Sequence, residues 1–214
     1  MKLKSVLFIA LLLLLPFMAQ DQSAKQYIDQ GITKATSGNL KGALSDFNKA
    51  IEKDPKSAEA YYSRAITKAS MGDPKGALSD LDRSIELNDK SAYAYNNRGN
   101  IKDDLGDKEG AIEDYDRAIE IDPKFAMSYN NRGTAKREIG DIKGALSDYN
   151  KAIELDPKFA MPYNNIGNYK SSQGDYKGAV IDFNKAIKIN PKFAIAYFNR
   201  ANKRRFGRLQ RCGL

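Results

Sequence analysis

Asparagines recur along this chain at a fixed interval. Asn96–Asn97, Asn130–Asn131 and Asn164–Asn165 lie 34 residues apart, Asn199 continues the second member of each pair, and Asn100 and Asn168 follow two of the pairs. Asparagine is a poor residue for a helix interior, so its return at matching places asks for a reason. A carboxamide carries both donors and an acceptor. A row of them can bond the main chain of an extended peptide whatever its side chains. Aspartate keeps the same interval at Asp46, Asp80, Asp114, Asp148 and Asp182, and arginine does so at Arg64, Arg98, Arg132 and Arg200. These two rows are expected to meet, within a unit or between neighbours. If both lie on the surface, each pair is worth roughly 0–1 kcal/mol and sets register more than stability.

Groups for covalent chemistry are scarce. There is no histidine and a single cysteine, Cys212. The commonest general base and the commonest metal ligand are therefore missing together, and neither a disulfide nor a zinc spacing is available. The expectation is a chain without cofactor or metal that is not an enzyme.

The net charge of +8 raises the question of nucleic acid, and its location answers it. Lys2 and Lys4 stand in a first segment without acids, and Lys203, Arg204, Arg205, Arg208 and Arg211 in a last segment without acids. Of the 35 bases, 28 then face 27 acids in residues 21–200. A neutral body lacks the basic stripe of a nucleic-acid binder, so a protein or peptide partner is expected instead.

Lys2 and Lys4 precede an apolar run from Val6 to Leu15, closed by Pro16-Phe17-Met18-Ala19. A charged start, an apolar stretch of about 7–15 residues and a small residue at the exit describe a signal peptide. A bilayer span needs about 20 apolar residues. Residues 1–20 are thus expected to be an export signal cleaved after Ala19 or Gln20, leaving a secreted or periplasmic protein. An uncleaved N-terminal anchor is the alternative.

Self-similarity organises everything between the ends. Units begin at Ala24, Ala58, Ala92, Ala126, Ala160 and Ala194, always 34 residues apart. The fourth place is Tyr in all six (Tyr27, Tyr61, Tyr95, Tyr129, Tyr163, Tyr197), and the eighth is always Gly or Ala. The fifteenth is Gly38, Gly72, Gly106, Gly140 and Gly174, the twentieth is always Ala, and the twenty-fourth is large and apolar. The thirty-second is Pro55, Pro123, Pro157 and Pro191, with Asp89 departing in the second unit. Glycine at fifteen ends a first helix in a left-handed cap. The Asn or Asp that follows caps a second helix, and the proline stops it. This pattern resembles the tetratricopeptide repeat. The resemblance covers five units, 24–57, 58–91, 92–125, 126–159 and 160–193, and the start of a sixth, 194–202. It implies an all-α, right-handed superhelical solenoid of antiparallel helix pairs, whose concave groove is lined mainly by the first helices.

In that family the second, fifth, sixth, ninth, twelfth and thirteenth places tend to face the groove. The resemblance therefore places Asn96, Asn130 and Asn164 (fifth), Asn97, Asn131, Asn165 and Asn199 (sixth), and Asn100 and Asn168 (ninth) on a peptide-binding surface. The sixth-place run is similar to the asparagine ladder of the O-linked N-acetylglucosamine transferases, without anything like their catalytic domain. At the second place Tyr93, Met127 and Met161 favour an apolar partner segment towards the C-terminal end. The carboxylate clamp of chaperone-binding members is not expected, because the fifth place is Asn and the twelfth runs Ala35, Ala69, Asp103, Arg137, Ser171. The functional expectation is a scaffold holding an extended partner segment outside the cytoplasm. A membrane-tethered assembly factor or co-chaperone is the alternative, and an accessory domain of an enzyme complex a weaker one.

Residues 203–214, KRRFGRLQRCGL, leave the pattern and are basic. Codons AGA-TTT-GGG-AGA-TTA-CAA-AGG-TGC-GGT-TTA encode Arg205–Leu214, and one base later they read Asp-Leu-Gly-Asp-Tyr-Lys-Gly-Ala-Val. That is the missing turn, close to Asp104–Ile112. An out-of-frame tail is therefore expected, with a natural basic tail as the alternative. Without a polar closing helix, the last helix is expected to fray and to promote weak self-association.

Overall fold

The computed structural model describes residues 23–209, with side chains through 202. The segment read as an export signal and the last five residues lie outside the described residues. Eleven helices and no strand occur among those described. They are α1 Ala24–Thr36, α2 Leu40–Lys53, α3 Ala58–Ser70, α4 Pro74–Leu87, α5 Ala92–Asp104, α6 Lys108–Ile121, α7 Ala126–Glu138, α8 Ile142–Leu155, α9 Ala160–Ser172, α10 Tyr176–Ile189 and α11 Ala194–Leu209. Successive pairs form repeats 1 to 5, stacked as a right-handed solenoid, and α11 opens a sixth.

The turn inside each repeat is set by backbone geometry. The fifteenth-place glycines all have φ between +80° and +92°, which only glycine adopts without strain. In repeat 1 the Gly38 amide bonds the Ala35 carbonyl at 3.0 Å and the Asn39 amide reaches back to Lys34 at 2.8 Å, so the helix ends in a Schellman motif. The Asn39 side chain then accepts from the Gly42 amide at 3.0 Å, and Asp73, Asp107, Asp141 and Asp175 cap the later second helices in the same way.

Proline is only part of what stops the second helix. At place thirty-one Asp54, Asn88, Asp122, Asp156 and Asn190 each accept, through the side chain, the amide two residues on, at 2.9–3.1 Å. This is an Asx-turn. It explains why repeat 2 keeps the turn although Asp89 stands in place of proline.

Packing joins the small and large places. A Cβ added at Gly31, Gly99, Gly133 or Gly167 would fall 2.5–2.9 Å from a ring carbon of Phe47, Tyr115, Tyr149 or Phe183. Repeat 2 has Ala65 there, and opposite it Leu81 replaces the ring. Both members of each pair change together, because the methyl group gained needs the space the ring gives up.

α11 continues to Leu209, past residue 202, where the repeat pattern stops. Arg208 stands at the place where every earlier first helix has its turn glycine.

Candidate functional site

The first helices carry the asparagines, and their places decide what each can do. Asn96, Asn130 and Asn164 are buried, with 1%, 1% and 5% of their surface exposed. They point between neighbouring first helices and act as the receiving half of an interlock. Asn131 Nδ2 donates to Asn96 Oδ1 at 3.2 Å and to Asn100 Oδ1 at 2.9 Å. Asn165 Nδ2 donates to Asn130 Oδ1, and Asn199 Nδ2 to Asn164 Oδ1, each at 3.0 Å. In the second repeat Tyr62 takes the fifth place, and its hydroxyl accepts from Asn97 Nδ2 at 2.8 Å. The sixth place of one repeat thus bonds the fifth place of the repeat before it.

This corrects the expectation for the fifth place. A side chain closed between helices cannot meet a peptide in the groove, so Asn96, Asn130 and Asn164 serve the stack. Asn131 is also fully engaged, since its oxygen accepts from Asn130 Nδ2 at 3.2 Å. Asn100 Oδ1 receives the Tyr115 hydroxyl at 2.9 Å as well as Asn131. Asn97, Asn165 and Asn199 are half-buried and each use one amide hydrogen on the preceding repeat. Half-buried Asn168 makes no side-chain hydrogen bond among the described residues.

The second-place residues form an open rim beside these amides. Tyr93 is 62% exposed and leans on the Phe125 ring, 4.8 Å between centroids. Met127, Met161 and Ile195 continue the exposed row, one per repeat. Phe125 and Phe159 stand where Ser57 and Ser91 cap earlier helices, and they make no capping hydrogen bond. The rim gains apolar surface where a cap is given up.

The aspartate and arginine rows do meet, and not as surface pairs. Arg98 places Nε and Nη2 on the two oxygens of Asp114, at 2.9 and 2.6 Å, and Nη1 on Asp82 of the preceding repeat at 2.8 Å. Arg64 and Arg132 repeat this fork on Asp80 and Asp148 and reach back to Asn48 and Asp116. Each guanidinium also lies 5.3–5.4 Å from the centre of its own fourth-place tyrosine ring. The receiving aspartates are buried, and a lysine at place eleven joins each of them at 2.6–3.0 Å. Around Arg98, two cations (with Lys102) face two carboxylates. The hydrogen bonds it donates to Asp114 hold the Arg98 guanidinium charged, well above its ordinary range, against the opposing effect of burial. The lysine was legible: place eleven is Lys in all five repeats, and in repeats 2 to 4 it follows the arginine by four residues, on the same helix face.

Three models of one family match the chain. Two are described as tetratricopeptide repeat, over 92–125 with 160–193 and over 47–79 with 114–147, and one as TPR repeat, over 133–172. The chain belongs to the tetratricopeptide repeat family. Among curated proteins no sequence matches this tetratricopeptide repeat chain. Among solved structures, MamA superposes with a TM-score of 0.66 at 29% identity, over 77% of this chain and 96% of that one. YrrB, described as a TPR protein with an unusual peptide-binding site, gives 0.65 at 22% identity, over 84% and 92%. PilF of Pseudomonas aeruginosa gives 0.71 at 19%, over 88% and 91%. The last two are likenesses of fold alone. Tetratricopeptide repeat proteins are typically non-catalytic scaffolds that bind protein or peptide partners.

Proposed function

We propose that this tetratricopeptide repeat chain is a scaffold that holds an extended segment of a partner protein along its first helices, outside the cytoplasm. The observation that carries the reading is the pairing, on those helices, of an exposed apolar rim with half-buried amides that keep unused hydrogen-bonding groups. Tyr93, Met127 and Met161 supply adaptable apolar contact, and Asn97, Asn165, Asn168 and Asn199 supply main-chain partners. The export part of the proposal rests on the charged start and apolar run of residues 1–20. No helix among the described residues is long and apolar enough to cross a membrane.

Fluorescence anisotropy with labelled extended peptides rich in Leu and Phe tests the groove. Replacing Tyr93, Met127 and Met161 together by Ala should weaken binding about tenfold or more. Asn97→Ala with Asn165→Ala should cost about three- to tenfold, as should N-methylation of the peptide main chain. Affinity indifferent to all three changes would remove the groove as the binding surface. N-terminal sequencing of the exported chain tests the address, and a first residue of Met1 would contradict cleavage.

A further inference from the structure

The repeats are tied to one another unequally. At four of the five joints between repeats, a seventh-place arginine reaches back to the twenty-fifth place of the repeat before it: Arg64 to Asn48, Arg98 to Asp82, Arg132 to Asp116 and Arg200 to Asn184. Between repeats 4 and 5 the seventh place is Ile166, which has no donor to offer Asn150. Among the described residues, one link between side chains crosses that joint, Asn165 to Asn130, beside a long bond of 3.5 Å from the Tyr163 hydroxyl to the Pro157 carbonyl. The joint before it is the opposite extreme. There the arginine is joined by Ser128 bonding Asn96, by Asn131 bonding both Asn96 and Asn100, and by the Lys108–Glu138 ion pair at 2.6 Å.

Apolar packing holds surfaces together without fixing their direction. A guanidinium bonded on both sides of a joint fixes distance and angle at once. We infer that the solenoid bends at the joint between repeats 4 and 5, with repeats 1–4 moving as one block and repeat 5 with α11 swinging against it. Ile166 marks the hinge. It lies within the proposed binding stretch, between the Met127 and Met161 parts of the rim, so bending there changes the spacing of the two parts. The inference itself needs no ligand and stands apart from the groove reading.

Paired spin labels measure the bend directly. Place eighteen is exposed in repeats 2 to 5, at Lys75, Glu109, Lys143 and Lys177, so equal spans can be compared in the full chain carrying Cys212→Ser. The Glu109→Cys/Lys177→Cys pair, which crosses the hinge, should give a broader distance distribution than Lys75→Cys/Lys143→Cys, which does not. Ile166→Arg should narrow the first distribution and slow amide exchange in the turn between α8 and α9 by about two- to fivefold, the change one partly exposed hydrogen bond to Asn150 carries. Arg98→Ile, which leaves Asn97 to Tyr62 as the one polar side-chain link between repeats 2 and 3 among the described residues, should broaden the second, which decides the matter even if Ile166→Arg fails to fold. Equal widths for the two wild-type spans, or an Arg98→Ile chain whose distribution is unaltered, would overturn the hinge.

Discussion

At single side chains, the fork of Arg98 on Asp114 shows how environment changes the worth of a pair. Asp114 is buried at 3% exposure, so removing the guanidinium strands a carboxylate with only Lys102 beside it. Arg98→Leu should therefore cost about 1–3 kcal/mol in denaturant unfolding, far more than a surface pair. Arg98→Lys should recover little of this, because an ammonium cannot hold two carboxylates and lie on Tyr95 in one plane. An Arg98→Leu chain as stable as wild type would mean that the fork contributes nothing.

Within each helix pair, the strongest constraint is the contact of a small residue with a ring. Gly31→Ala would push a methyl group to 2.5 Å from Phe47, and overpacking of this kind costs about 1–3 kcal/mol. Repeat 2 shows the remedy, Ala65 against Leu81. Gly31→Ala combined with Phe47→Leu should recover a good part of the loss, giving a clear coupling in a double-mutant cycle. Purely additive losses would show that the two places are independent. The Asx-turns at place thirty-one act on the same pair, since they set the point where one repeat hands over to the next.

For the solenoid as a unit, the titrating groups predict a lopsided pH profile. The chain has no histidine, so stability should be nearly flat between pH 5 and 8. Burial, and then the charges of Asp103, Asp104 and Asp114, push the Tyr115 phenol above its ordinary 10.0. Burial likewise raises Tyr149 and Tyr62. Folded pKa values above the unfolded ones mean stability that is complete below pH 10 and lost as pH climbs past it. On the acid side, the Lys108 ion pair lowers Glu138 below its ordinary 4.5, so its contribution is present above pH 4.5 and lost as pH falls. Thermal melts from pH 4 to 11 should show a plateau with an alkaline decline, and a melting temperature still constant at pH 11 would contradict it.

The period of 34, the turn glycines and the caps were readable in advance because they are local. A left-handed glycine or a capping aspartate acts on neighbours a few residues away, wherever the helix later packs. The meeting of the arginine and aspartate rows was also foreseeable from their matched interval, whereas the burial of Asp114 was not. Periodicity places a residue on a face of its own helix and is silent about what closes over that face. For this reason Asn96 and Asn97, adjacent in the chain and alike in type, ended with different duties: one sealed between first helices, the other half-open beside the rim. Ile166 makes the same point, since its meaning lies in a bond across two repeats that only the stacked helices bring within reach.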